Sequence, residues 1–189
     1  MRAFLGAILL AALGAGCASH PPAHWAQGGS KLALPRARLS AGDVVVDVMP
    51  DGRVLGNGDY LFSMDAAGRI FDVDNDPIAL LEADGRLVGK DERNLGYVGL
   101  RNASPPGGQV AWLTIEDTGN VVRFDPEGTP FAGGVWSGCG PALRTCTLTT
   151  HILALLQARA RGGSRMRIGV GMGVGMGSGA AGVGTVIMP

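Results

Sequence analysis

Four short units do most to limit what this chain can become. Asp51-Gly52-Arg53-Val54, Ala67-Gly68-Arg69-Ile70 and Asp84-Gly85-Arg86-Leu87 place Gly-Arg-apolar units 16 and 17 residues apart, and Thr118-Gly119-Asn120-Val121 follows after 34, two further steps of 17. A glycine suits a turn position where φ becomes positive, and the aliphatic residue two places later suits the start of a returning strand. A period of that length holds two strands of five or six residues and two turns. Gly56-Asn57-Gly58-Asp59, Asp74-Asn75-Asp76-Pro77, Asp91-Glu92-Arg93-Asn94 and Pro105-Pro106-Gly107-Gly108 supply the intervening turns. Upstream, Asp43-Val44-Val45-Val46-Asp47-Val48-Met49 is a β-branched run closed by Pro50-Asp51-Gly52, a strand followed by a turn. The expectation is a mainly β domain over 42–136, an antiparallel meander of about eight to ten short strands forming a small sandwich or open barrel.

Composition agrees with such a sheet. Glycine accounts for 32 of 189 residues and aromatics for 5%, so Val, Leu and Ile must build the core. The formal net charge of zero is unevenly spread: all 16 acidic residues lie between Asp43 and Glu127, leaving that stretch at −9. Residues 17–42 carry +3, and everything after Glu127 carries +5 with no acid. An acidic body repels phosphate, which argues against a nucleic-acid partner. The basic ends could be drawn to the body or to anionic headgroups.

The period changes after Trp136. Leu148, Ile152, Leu155 and Leu156 recur at helical spacing, with Thr145 placed to cap the start, Arg159 and Arg161 in the last turn and Gly162-Gly163 as a stop. This predicts one amphipathic helix over 147–161, laid against the sheet to cover an apolar face. Just before it, Cys139 and Cys146 flank a Gly- and Pro-containing loop that can bend enough to join them in a disulfide; two buried free thiols are the alternative. Together they define a cysteine loop and helix over 137–162.

The N-terminus carries a different signal. Arg2 precedes an uncharged run from Ala3 to Leu13, too short to span a bilayer as a helix and suited to a secretory leader. It ends in Leu13-Gly14-Ala15-Gly16-Cys17, which resembles the lipobox of bacterial (Gram-negative) lipoprotein precursors, although Gly14 stands where those proteins most often carry Leu. The resemblance implies cleavage of a signal peptide 1–16, diacylglycerol and palmitate on Cys17, and, with Ala18 next, anchoring in the cell outer membrane. It would also explain an odd cysteine count, since the other two form a pair. Residues 17–41, broken by His20-Pro21-Pro22, Gly28-Gly29-Ser30 and Pro35, then read as the lipidated cysteine and a flexible tether.

The C-terminal segment 163–189 is Gly-rich and apolar. From Ile168 to Gly179, Ile, Val, Met and Ser alternate with Gly, a period-two strand signal; the same glycines fit G-x-x-x-G helix packing. A strand against another backbone, a disordered or self-associating tail, and a membrane segment all remain open.

Candidate chemistry is sparse. Asp72, Asp74 and Asp76 are spaced like calcium ligands, but Pro77 and Ala83 occupy places where an EF-hand needs Gly and Glu, so at most a looser calcium site could form. Ser137-Gly138-Cys139-Gly140 lacks the preceding histidine of periplasmic cysteine transpeptidases. The segment after the leader has only His20, His24 and His151, and no nucleotide, zinc-protease or serine-hydrolase motif occurs. No catalytic residue and no cofactor are expected. The functional expectation is a non-enzymatic outer-membrane lipoprotein, an envelope scaffold or interaction module whose partners are the membrane and other envelope proteins. The alternatives are an envelope enzyme or accessory with an Asp-based site, and a calcium-stabilised adhesion-like module.

Overall fold

The computed structural model describes residues 20–161. Twelve strands, β1 Ala37–Ala41, β2 Val44–Val48, β3 Arg53–Gly56, β4 Asp59–Met64, β5 Arg69–Phe71, β6 Pro77–Leu81, β7 Arg86–Gly89, β8 Asn94–Val98, β9 Asn102–Ser104, β10 Leu113–Ile115, β11 Asn120–Phe124 and β12 Pro130–Ser137, pair antiparallel in chain order. The pairing of β1 with β12, Leu39 opposite Trp136, closes the sheet into a barrel. One helix, α1 Leu143–Arg161, follows a short 3₁₀ turn at Gly140–Ala142.

The expected meander is therefore present, but it is a closed barrel rather than a sandwich or open barrel, and its first strand lies inside the stretch read as tether. Ala37 and Leu39 point into the core while Arg38 and Ser40 face outward, an alternation in a segment whose Pro35 and alanines weaken the strand signal.

In an up-and-down barrel the connections alternate between two rims. The Gly-Arg units all fall on one rim, in the connections β2–β3, β4–β5, β6–β7 and β10–β11. Each closes in the same way: the glycine N–H donates to the carbonyl three residues back, as from Gly52 to Met49 at 2.9 Å and from Gly85 to Glu82 at 3.0 Å. The glycine carbonyl then accepts from a neighbouring strand end, Met64 N–H on Gly52 at 2.9 Å and Trp136 N–H on Gly119 at 2.8 Å. Glycine is required twice over at 52 and 119. Their φ values are +88°, and a Cβ would lie 1.9 Å from the Met64 oxygen or 2.2 Å from that of Trp136. The missing step of the repeat is the tighter β8–β9 turn, where Arg101 keeps the interlock by accepting from Ile115 N–H.

Each inward register feeds one core, with Val46, Val54, Phe62, Ile70, Leu81, Leu87, Val98, Leu113 and Val121 among its members. Eight strands enclose a lumen that side chains alone can fill; twelve enclose more. Helix α1 supplies the difference. Residues 145–152 are buried without interruption, which a helix achieves only when surrounded on all sides. It enters at the glycine rim, where Thr147 Oγ1 donates to the Leu100 carbonyl at 2.9 Å. Near its far end Gln157 Oε1 accepts from Arg123 at 2.7 Å, close to the opposite rim. Thus α1 fills the lumen rather than covering an outer face. Thr145 is an interior residue of the helix and not its N-cap: its hydroxyl donates to the Ala33 carbonyl at 2.6 Å.

Candidate functional site

The buried threonines and the histidine of α1 are placed in the lumen at little cost because each has a partner. Thr147, Thr149 and Thr150 donate to the carbonyls of Leu143, Thr145 and Cys146, a back-bonding habit that hides a hydroxyl within its own helix. Thr150 Oγ1 also accepts from the Trp136 indole at 2.9 Å. His151, fully buried, is held from two sides: the Trp112 indole N–H donates to Nδ1 at 3.0 Å, and Nε2 lies 2.8 Å from the Leu95 carbonyl. An indole can only donate and a carbonyl only accept, so Nδ1 is bare and Nε2 carries the proton. Burial pushes the imidazole down to about 4, while the Leu95 carbonyl acts weakly in the other direction. This is a neutral, engaged histidine with no free lone pair for a substrate proton.

Cys139 and Cys146 form a disulfide, with Cα atoms 6.2 Å apart. It ties the β12 exit to the second turn of α1, at the mouth through which the helix enters the barrel. Asp72, Asp74 and Asp76 do not converge. Asp72 Oδ1 accepts the N–H groups of Asp74 at 3.1 Å and Asp76 at 2.8 Å, and Asn75 N–H donates to the Asp72 carbonyl. With Asn75 at φ +64°, this is the glycine-type turn again, with Asn in the glycine seat. Among the described residues no three His, Cys, Asp or Glu side chains gather to hold a metal. Cys17 and the alternating 168–179 segment lie outside the described residues.

Other carboxylates serve the turns and the wall. Asp65 and Glu82 pair with Arg69 and Arg86, four residues on, at 2.7 and 2.6 Å, which explains why Arg follows Gly in the repeat. Asp51 accepts from the Arg53 backbone and guanidinium, and that backbone bond is the main reason its carboxyl titrates below the ordinary value. On the outer wall Arg38 makes a two-pronged pair with Asp47 across β1 and β2. Charge outside and aliphatic side chains inside are the reverse of a lipid-facing barrel.

Two outer features remain. A shallow groove of about 440 Å³ follows the β11–β12 hairpin, lined by Val122, Phe131, Ala132 and Val135, with Glu116 and Asn120 at its end. Glu116 is the one carboxylate there, and it already accepts from Asn120 at 3.1 Å.

The second feature is the segment 20–36, expected to be a free tether and found fastened. His20 N–H donates to Asp91 Oδ1 at 3.1 Å and the Asp91 N–H returns to the His20 carbonyl. Trp25 meets Phe71 edge-on with ring centroids 5.2 Å apart. Gly29, Ser30 and Leu32 N–H groups donate to Ala67, Leu81 and Ala66 carbonyls, and Arg144 of α1 donates to Ser30 Oγ at 3.0 Å. The strap thus runs from the rim opposite the glycine turns, along the wall, to the mouth of α1. Its only sequence signal was Trp25 among prolines and glycines, which composition alone assigns to a spacer.

No family model, curated protein or solved structure matches the chain.

Proposed function

We propose that this chain is an outer-membrane lipoprotein, acylated at Cys17, whose barrel is a non-enzymatic envelope scaffold or interaction module. The observation that carries the non-enzymatic part is the filled lumen. An enzyme built on such a barrel needs a concave site with converging polar groups. Here the interior is occupied by α1, and its one histidine is neutral and held at both nitrogens. What is left for recognition is the outer surface, including the apolar groove of β11–β12. The leader ending at Cys17 supports the anchor, and the disulfide suits an oxidising envelope compartment.

Mass spectrometry of wild type and Cys17→Ala from fractionated cells tests the anchor. Wild type should carry diacylglycerol and amide-linked acyl mass in the outer-membrane fraction, and the variant should not. Unmodified, fully soluble wild-type protein would end the reading. Co-purification with the intact lipidated protein tests the module role: envelope partners should be retained by wild type and lost on Val135→Asp in the groove.

A further inference from the structure

We infer that the rim opposite the glycine turns is the face the barrel holds against the bilayer, a proposal that rests on the lipid-anchor reading above. That rim consists of the connections at 42–43, 57–58, 72–76, 90–93, 105–112 and 125–129. The first argument is contour length. A free spacer from Cys17 to Ala41 would let the domain stand up to about 80 Å from its lipid. Because His20 is bonded to Asp91 on this rim, only three peptide steps separate it from Cys17, a reach of about 11 Å. The acyl chains therefore enter the membrane beside this rim.

The second argument is what the rim exposes. Val110, in the β9–β10 connection, is 78% exposed and Phe131, at the start of β12, 45%, against 59% for Leu100 on the glycine rim. Helix α1 also ends toward this rim. Charge points to a neutral lipid surface. Asp43, Asp59, Asp74, Asp76, Asp125 and Glu127 lie on or next to these turns and would resist anionic headgroups. Attachment by chain length and apolar contact should persist in high salt, unlike attachment by a basic patch.

The test uses full-length lipidated protein in vesicles of phosphatidylcholine and phosphatidylethanolamine. Cys17 is blocked by acylation and the other two cysteines by their disulfide, so a cysteine placed by Val110→Cys, or by Leu100→Cys on the glycine rim, is the single labelling site. Each carries the same fluorophore, read against headgroup-quencher lipid. The expected result is several-fold stronger quenching at 110 than at 100, unchanged in high salt. Inserting about a dozen Gly-Ser residues after Ser19 should erase the difference by lengthening the reach. Equal quenching at both positions, or stronger quenching at 100, overturns the orientation. A mass spectrum without acyl groups on Cys17 instead removes the anchor itself, and that is read before any quenching. Phe131→Cys provides a second label on the membrane rim should Val110→Cys perturb its loop, and the same contrast with 100 is required of it.

Discussion

His151 makes the buried lumen sensitive to acid, in a direction the geometry fixes. Taking up a second proton would require Nδ1 to become a donor facing the Trp112 indole N–H, itself a donor 3.0 Å away, inside a fully buried site. Burial lowers the group from 6.5 to about 4, so between those limits the unfolded chain binds a proton that the folded chain refuses. Stability then rises with pH through this window: the contribution is complete above pH 6.5 and is lost progressively as pH falls toward 4. At 1.36 kcal/mol per pH unit the full loss is about 3 kcal/mol, and about 2 kcal/mol is gone by pH 5. Urea unfolding of the oxidised protein at pH 7.5, 6 and 5 measures it, beside His151→Gln, whose amide can still donate to Leu95. The variant should be less stable at pH 7.5. The wild-type advantage should shrink by about 2 kcal/mol on going to pH 5, roughly 1 M in urea midpoint for a domain of this size. A gap independent of pH, or one that widens in acid, would show that His151 is not held neutral in this way.

Three further outcomes follow from the turns and the cysteine loop. Gly119→Ala and Gly128→Ala place the same methyl in the same turn type at φ +88° and +85°, but only the first meets the Trp136 carbonyl, so its cost should exceed the second by about 2 kcal/mol in thermal unfolding; equal costs would discount the interlock. Because Asp72, Asp74 and Asp76 form a glycine-type turn with Asn75 in the special seat, calcium should leave the melting curve unchanged, and Asn75→Gly should be neutral or slightly stabilising. Replacing both Cys139 and Cys146 by Ser should cost about 2.5 kcal/mol, with proteolytic cleavage appearing first at the 138–146 mouth and not in the strands.

The parts legible in the sequence are those whose physics is local. A turn that needs φ > 0 and a following aliphatic residue announces itself at any distance from the core, so the Gly-Arg units gave the hairpins and their spacing. Likewise the residue pattern from Leu148 to Leu156 gave the helix, and two cysteines around a bent loop gave the disulfide. Closure was not legible, because it depends on β1, the short Ala37-Arg38-Leu39-Ser40-Ala41 run after Pro35, whose Leu39 is stabilised by Trp136 and Val46 on either side. The lumen follows from the same point. Apolar periodicity reports that a helix has an inner face, yet Thr145, Thr147, Thr149 and Thr150 look like a polar outer face until the hydroxyls of Thr147, Thr149 and Thr150 are seen bonded to carbonyls of the helix, and those of Thr145 and Thr147 to the strap and barrel. The strap was hidden for a related reason: it is fixed by backbone hydrogen bonds from Gly29, Ser30 and Leu32, which place no demand on side-chain pattern. Its consequence for the anchor is large, since fastening residues 20–36 changes the reach of Cys17 from about eight nanometres to about one. Proline and glycine therefore mark the absence of regular structure in this chain, and they do not mark freedom of the segment that contains them.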